Sequence, residues 1–137
     1  MAKTNVMGYV TIASTGNASD FGDLSVARSD LGSCSSVLRG LFVGGYGTSS
    51  NLNTIDYITI ATLGNAIDFG NLSAANQALM ALSSRTKGVF GGGYTSDFTN
   101  VIQTVTIATT GNASDFGDLT VARSRGGGCS SGHGGLT

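Results

Sequence analysis

A nine-residue segment occurs three times in this chain, at residues 16–24, 64–72 and 111–119. Each copy reads Gly-Asn-Ala-x-Asp-Phe-Gly-x-Leu, and the copies begin at Gly16, Gly64 and Gly111, spacings of 48 and 47 residues. A period of this length indicates a repeat architecture, in which one supersecondary unit cannot bury its apolar face alone and packs on its neighbours. Because a catalytic site is usually needed once, residues that recur in every copy are predicted to be structural.

The composition predicts short strands joined by tight turns. The 137 residues include 22 glycines and no proline, and 40% are hydrophobic. Glycine, Asn, Asp and Ser separate β-branched runs along the chain, which is typical of an all-β fold with turns built without proline. We predict one domain over residues 1–137, with repeats roughly at 5–52, 53–99 and 100–137.

Charge and hydropathy argue against two classes of partner. The formal net charge is −1, with seven basic and eight acidic residues. The basic residues are scattered, so no phosphate-neutralising patch for nucleic acid is expected. No apolar run approaches the length of a membrane span, and residues 1–5 lack the apolar stretch of a signal peptide. We therefore expect synthesis in a cytoplasm, with retention there or release by lysis as part of a particle.

One repeat is predicted to contain four strands, as the middle copy illustrates. Residues 79–84 form an apolar strand, 87–94 a second strand ending in glycines and Tyr94, and 101–109 a third with strict alternation. A fourth strand lies around 115–119. The apolar face of the alternating strand recurs in each copy, at Val10 and Ile12, Ile58 and Ile60, Val105 and Ile107. The opposite face carries Thr and Tyr, which predicts a sheet packed on both sides.

This pattern resembles the kelch motif. Its carriers are the glycine pairs before an aromatic residue, a phenylalanine where kelch repeats usually have Trp, and a closing arginine: Gly44, Gly45 and Tyr46; Gly92, Gly93 and Tyr94; Phe21, Phe69 and Phe116; Arg28 and Arg123, with Asn76 in the middle copy. The resemblance implies β-propeller blades in which these residues are structural anchors and the arginine ties blades together. The sequence of residues 55–70 also resembles repeats in structural and tail-associated proteins of marine tailed bacteriophages.

Ring closure is the open question about the fold. The sequence begins at a third strand and reaches a second strand at its other end, which amounts to about three blades, circularly permuted. Propellers close with about four to eight blades, so we expect a homodimer forming one six-bladed ring in which each subunit completes a blade of the other. The alternative is a β-trefoil or β-prism closed within one chain.

The candidate binding residues lie in the loops between second and third strands, which differ from each other while the flanking strands are nearly copied. Loops on a rigid scaffold commonly carry binding, and Tyr with Ser, Thr and Asn suits the hydroxyls of sugars. The residues are Tyr46, Thr48, Ser49 and Asn51 in one loop, and Tyr94, Ser96, Asp97 and Phe98 in the other.

Other polar features favour structural roles. The acidic turns, with Asp20, Asp23, Asp68, Asp115 and Asp118 beside asparagines, offer too few oxygens for calcium and are interpreted as turns in which Asn and Asp bond their own backbone. His133, the single histidine, is interpreted as a solvated residue. Cys34 and Cys129 occupy equivalent positions, with Leu82 between, and are predicted to fill a small buried apolar slot as free thiols. We expect no metal and no cofactor.

These observations lead to a functional hypothesis. No nucleophile, base and orienting group stand in a motif, so we expect the protein not to be an enzyme. The phage resemblance implies a virion structural or host-recognition component, associated with the tail or fibre. Its expected partners are a second copy of the chain, other virion proteins and cell-surface glycans. The alternative is a stand-alone carbohydrate-binding lectin.

Overall fold

A computed structural model describes residues 2–130, which hold ten β-strands and no helix. This confirms the all-β expectation. No helix in this part of the chain is long and apolar enough to span a membrane. The strands are β1 (Val6–Tyr9), β2 (Ser19–Asp23), β3 (Gly32–Ser35), β4 (Arg39–Val43), β5 (Thr54–Thr59), β6 (Ile67–Asn71), β7 (Met80–Ser83), β8 (Lys87–Gly91), β9 (Val101–Thr106) and β10 (Ser114–Asp118).

The strands form three antiparallel sheets, each following chain order. The first sheet pairs β1 with β2, and β1 has no other strand beside it within residues 2–130. The second contains β3 to β6 and the third β7 to β10, each strand pairing with the next in sequence. The complete unit is therefore a four-stranded meander, and the first sheet holds the counterparts of its third and fourth strands.

The repeated phenylalanine sits at a β-bulge in every sheet. The register of β1 with β2 passes from Gly22 to Asp20 and omits Phe21, and the same shift omits Phe116 in β10. A bulge bends the strand and re-aims a side chain. Here it precedes a glycine whose φ is +142 to +145°, at Gly22, Gly70 and Gly117.

The local backbone after the second strand of each complete sheet requires the paired glycines. Gly44 and Gly45 follow β4 with φ of +60° and +107°, a left-handed backbone that L side chains rarely adopt. A Cβ on Gly44 would lie 2.5 Å from the carbonyl oxygen of Asn76, and one on Gly92 would lie 2.4 Å from that of Arg123. The glycines thus let the connecting segment of the next repeat cross the end of the strand.

The hydrophobic core lies between consecutive sheets. One cluster joins the first and second sheets through Met7, Phe21 and Leu24. The larger cluster joins the second and third sheets and includes Leu41, Ile55 and Phe69. Each sheet therefore depends on its neighbour to cover one face, as the repeat period predicts.

The first strands of successive repeats lie side by side. Strands β3 and β7 are in contact, and the hydroxyl of Ser83 donates to the carbonyl of Ser35 at 2.9 Å. The third counterpart, residues 126–130, runs beside β7, where a Cβ on Gly128 would meet the Ala81 carbonyl oxygen at 2.5 Å.

The residue that leads into each first strand has a left-handed backbone. These residues are Asp30, Ala78 and Arg125, with φ of 53°, 55° and 56°. They are linked in order, because the Ala78 amide donates to the Asp30 carbonyl and the Arg125 amide to the Ala78 carbonyl, both at 2.8 Å. This ladder holds the repeats at one constant offset.

Burial of the predicted anchors follows their position in the row of sheets. Phe21 is 8% exposed and Phe69 is 2% exposed, but Phe116 is 58% exposed. Within residues 2–130, Phe116 therefore does not anchor a core, because no later sheet covers β10. The predicted apolar face of the third strand is not buried in the first copy, where Val10 is 55% and Ile12 is 96% exposed.

Candidate functional site

The two variable loops meet in an open groove of about 550 Å³. Because consecutive sheets lie side by side at a constant offset, the loop after β4 comes next to the loop after β8. The lining residues are Tyr46, Ser50, Asn51, Ala75, Gln77, Tyr94, Thr95 and Ser96, none of which carries a charge.

Asn51 joins the loops directly. Its side-chain amide donates to the carbonyl oxygen of Tyr94 at 2.8 Å and to that of Thr95 at 2.7 Å. Both amide hydrogens are thus used to hold the second loop, and the Oδ1 atom is left as an acceptor. Asn51 therefore builds the groove and offers one acceptor to a ligand.

Gln77 and Tyr94 form the chemically available part of the groove. Gln77 is half-buried, and its backbone is fixed by two hydrogen bonds with Tyr94, at 3.1 and 2.9 Å. The structure gives its side-chain amide no partner among residues 2–130. The Tyr94 side chain is 38% exposed. An apolar ring face beside an amide that can donate and accept is suited to a ligand with both C–H and O–H groups.

A smaller cavity of about 270 Å³ continues the groove on the far side of Gln77 and Tyr94. Phe98 lies here with its ring edge-on to Tyr94, the centroids 5.7 Å apart. Ser124 and Arg125 complete the lining, and Arg125 is the only charged residue among those that line it. The two cavities together make one continuous surface on this edge of the sheets.

The same loop position has different chemistry in each repeat. Lys3, Asn51 and Phe98 are equivalent, each two residues before the asparagine at Asn5, Asn53 or Asn100. Lys3 donates to the Gly47 carbonyl and lies 3.8 Å from the Tyr46 ring centroid. Asn51 makes the corresponding contact with the next loop. The position therefore links neighbouring loops in both cases.

A third cavity, of about 370 Å³, opens at the other end of the third sheet and is lined by Lys87, three threonines and Asn112, among others. Thr104 in its lining is the counterpart of Tyr57 in the second sheet, where the Arg39 guanidinium lies 4.4 Å from the tyrosine ring centroid. This cavity has no aromatic lining. We take the loop groove as the candidate site because it is larger and joins two variable loops.

The structure brings together part of the predicted set. Tyr46, Asn51, Tyr94 and Ser96 line the groove and Phe98 lines its continuation, whereas Thr48, Ser49 and Asp97 line neither. Gln77 was missed because it lies outside both loops, directly after the closing residue Asn76. One signal was present in the sequence: the equivalent residues are Ser29 and Ser124, so this position also varies.

The closing arginine has a structural role in the second sheet. Arg28 donates to the Asp56 carboxylate at 3.0 Å, with both side chains fully buried. Burial lowers the pKa of the Arg28 guanidinium, an effect that the Asp56 carboxylate opposes. In the third sheet the pair is replaced by Asn76 and Gln103, which are also buried. Arg123, the third counterpart, is exposed.

The structure also describes the repeated turns and the two cysteines singled out in the sequence. The turn asparagines do not bond their own backbone: Asn65 Oδ1 accepts from the Asp23 amide of the preceding sheet at 3.0 Å.

Both cysteines are free. Burial raises the pKa of Cys34 to about 12, but Cys129 is exposed, so within residues 2–130 only one slot is covered. No three His, Cys, Asp or Glu side chains of the described part of the chain could hold a metal together. His133 lies outside it.

Comparison with known protein families and with curated proteins finds no match for this chain.

Proposed function

We propose that the chain is a non-enzymatic binding module of the β-propeller type that takes a neutral, polyhydroxylated ligand such as a glycan in the loop groove. The observation that carries this proposal is the half-buried Gln77 amide, without a partner in residues 2–130, beside the exposed ring of Tyr94. Ligand sites commonly combine a concave apolar surface with a few fixed polar groups.

The propeller arrangement is supported by three observations. The complete unit is a four-stranded meander, first strands of successive repeats lie beside each other, and the core fills the space between sheets. Radially repeated four-stranded sheets are the construction of a propeller. Within that arrangement the variable loops share one face of the molecule.

The ligand class follows from the groove's lining. Its eight lining residues are uncharged and rich in hydroxyl and amide groups, which favours a neutral ligand. The neighbouring charges, Lys3 on the Tyr46 ring and Arg125 in the adjoining cavity, lie outside that lining. The ring of Tyr94 supplies a face for C–H groups. The biological setting we propose is host recognition or structure in a tailed-phage virion, which is supported by the sequence resemblance. A stand-alone lectin is the competing proposal, equally compatible with this chemistry.

The ligand proposal is tested on a glycan array, followed by titration calorimetry with the best neutral oligosaccharide. We expect Gln77→Ala and Tyr94→Ala each to weaken binding at least about tenfold, since each removes one of the few specific contacts. Asn53→Ala is the matched control, because Asn53 is exposed and does not line the groove. Equal affinity in all three variants, or no binding by the wild-type protein, would refute the groove as a glycan site.

The two settings are separated by a different measurement. A virion component is found by mass spectrometry at stoichiometric amounts in purified particles. A lectin that is absent from particles but binds glycans would favour the alternative.

A further inference from the structure

The outer edge of β10 has the same construction as two interfaces inside the chain, but within residues 2–130 it is open. In the first of these interfaces, the turn at Gly64 and Ala66 packs on β2. The Gly64 amide donates to the Phe21 carbonyl and the Ala66 amide to the Asp23 carbonyl, both at 2.8 Å. The Asp23 amide in turn donates to Asn65 Oδ1.

The second interface repeats these bonds atom for atom on β6. Gly111 donates to the Phe69 carbonyl at 2.7 Å and Ala113 to the Asn71 carbonyl at 2.9 Å. The Asn71 amide donates to Asn112 Oδ1 at 3.0 Å. The Gly-Asn-Ala turn is therefore a docking element for the fourth strand of the preceding repeat.

The glycines of the receiving strands show how closely the turn approaches. A Cβ on Gly22 would lie 2.3 Å from the Gly64 carbonyl oxygen, and a Cβ on Gly70 would lie 2.3 Å from that of Gly111. Gly117 of β10 has the same backbone, with φ of +144°, yet a Cβ there would meet nothing within 4 Å. Strand β10 thus keeps the shape of a receiving strand without an occupant among residues 2–130.

The matching turn exists and is itself uncommitted. Residues 16–18 repeat the Gly-Asn-Ala sequence, and the structure gives the Gly16 and Ala18 amides none of the bonds made by their counterparts. Ala66 and Ala113 are half-buried against the preceding sheet, whereas Ala18 is exposed. One isoleucine position recurs in all three repeats, and its exposed fraction rises toward the first repeat. It is 1% at Ile107, 44% at Ile60 and 96% at Ile12.

We propose that the Gly16–Asn17–Ala18 turn of one copy of this chain docks on β10 of a second copy. The contact would comprise the Gly16 amide to the Phe116 carbonyl, the Ala18 amide to the Asp118 carbonyl, and the Asp118 amide to Asn17 Oδ1. It covers Phe116, the most exposed of the three anchor phenylalanines. This head-to-tail contact becomes closed when two copies use it reciprocally.

The two-copy ring rests on the propeller arrangement proposed above, whereas the docking contact does not depend on ligand binding. Each copy contributes two complete sheets and the strand pair β1–β2. Residues 126–130 lie where a further first strand belongs, and β1 and β2 are the third and fourth strands that such a sheet needs. The counterpart of its second strand, which the sequence pattern places after residue 130, lies outside the described residues. Six sheets result, within the range of about four to eight found in propellers.

The test is the solution mass of the 137-residue chain and its dissociation constant, by sedimentation over a dilution series. We expect wild type at twice 13.7 kDa. Ala18→Glu places a charged side chain where the counterparts Ala66 and Ala113 are half-buried and beside Asp118, and we expect it to weaken association at least about 100-fold. Ala13→Glu is the matched control, since Ala13 and its counterparts Ala61 and Ala108 are all exposed.

Two milder variants keep the test decisive if Ala18→Glu does not fold. Asn17→Ala removes one acceptor from each of two contacts and is expected to weaken association about tenfold or more without changing the stability of the single chain. Asn112→Ala removes the same acceptor inside the chain, so it lowers stability and leaves the dissociation constant unchanged. A monomeric wild type, or equal dissociation constants for Asn17→Ala and Asn112→Ala, would overturn the proposal. A wild-type dimer that binds no glycan would refute the groove as a glycan site and leave the docking contact standing.

Discussion

The buried Arg28–Asp56 pair permits a quantitative test, because the protein contains its own neutral replacement. Only Nη2 of Arg28 is bonded, to Asp56 Oδ2 at 3.0 Å and to the Phe42 carbonyl at 3.2 Å. Its Nε and Nη1 atoms are buried and make no hydrogen bond within residues 2–130. In the next repeat, Asn76 and Gln103 occupy the same positions, and Gln103 accepts from the Ser73 amide at 2.8 Å as Asp56 accepts from Ser25.

The perturbation is therefore Arg28→Asn, Asp56→Gln and the double variant. Asp56→Gln alone leaves a buried guanidinium without a counter-charge, which should cost about 3–5 kcal/mol. In the double variant the charge is gone, and two buried unsatisfied donors, each costing about 1–3 kcal/mol, are replaced by one buried unsatisfied acceptor, as at Asn76 Oδ1. That relief offsets the lost ion pair, so we expect the double variant to lie within about 1 kcal/mol of wild type.

Urea unfolding at fixed protein concentration gives the three free energies, with the m-values checked for a common unfolded state. Arg28→Asn alone leaves the buried Asp56 carboxylate without a counter-charge and should also cost about 3–5 kcal/mol. The expected coupling energy, which is the sum of the two single costs minus the cost of the double variant, is therefore at least about 5 kcal/mol. If the single costs simply add in the double variant, the pair does not act as a unit and the equivalence with Asn76 and Gln103 is wrong.

Two further predictions follow from the unequal burial of repeated residues. Phe69→Ala should lower the free energy of unfolding by about 3–5 kcal/mol, whereas Phe116→Ala should lower it by less than about 1 kcal/mol in single chains. Denaturant melts under dilute conditions measure both values. Equal losses of stability would contradict the exposure of Phe116. In single chains under dilute conditions at pH 8, a thiol reagent should label Cys129 rapidly and Cys34 only on unfolding, with Cys129→Ser as control. Rapid labelling of both cysteines in the folded protein would refute the burial of Cys34. Because burial raises the pKa of the Cys34 thiol from 9.0 to about 12, its contribution to the stability of the folded protein should be lost as pH rises from about 9 towards 12.

Much of the repeat's anatomy was predictable from the sequence. Alternation and glycine placement predicted four strands per repeat, and the observed β7 (Met80–Ser83), β8 (Lys87–Gly91) and β9 (Val101–Thr106) lie inside the predicted segments. These are local properties, because side-chain period and turn chemistry act over a few residues. The two variable loops were also identifiable, since near-identical strands made their differences visible.

The partner of each residue was decided only by the tertiary structure. Nothing near Arg28 in sequence indicates Asp56, 28 positions away, and Gln77 enters the groove only because sheets pack at a constant offset. Equivalent residues of the repeated segment also differ in burial. Phe69 is buried and Phe116 is exposed, because within residues 2–130 a following sheet packs on the first and none packs on the second. Sequence determined the unit through local chemistry, whereas the environment of each copy depended on which neighbour packed against it, a property of the assembled sheets.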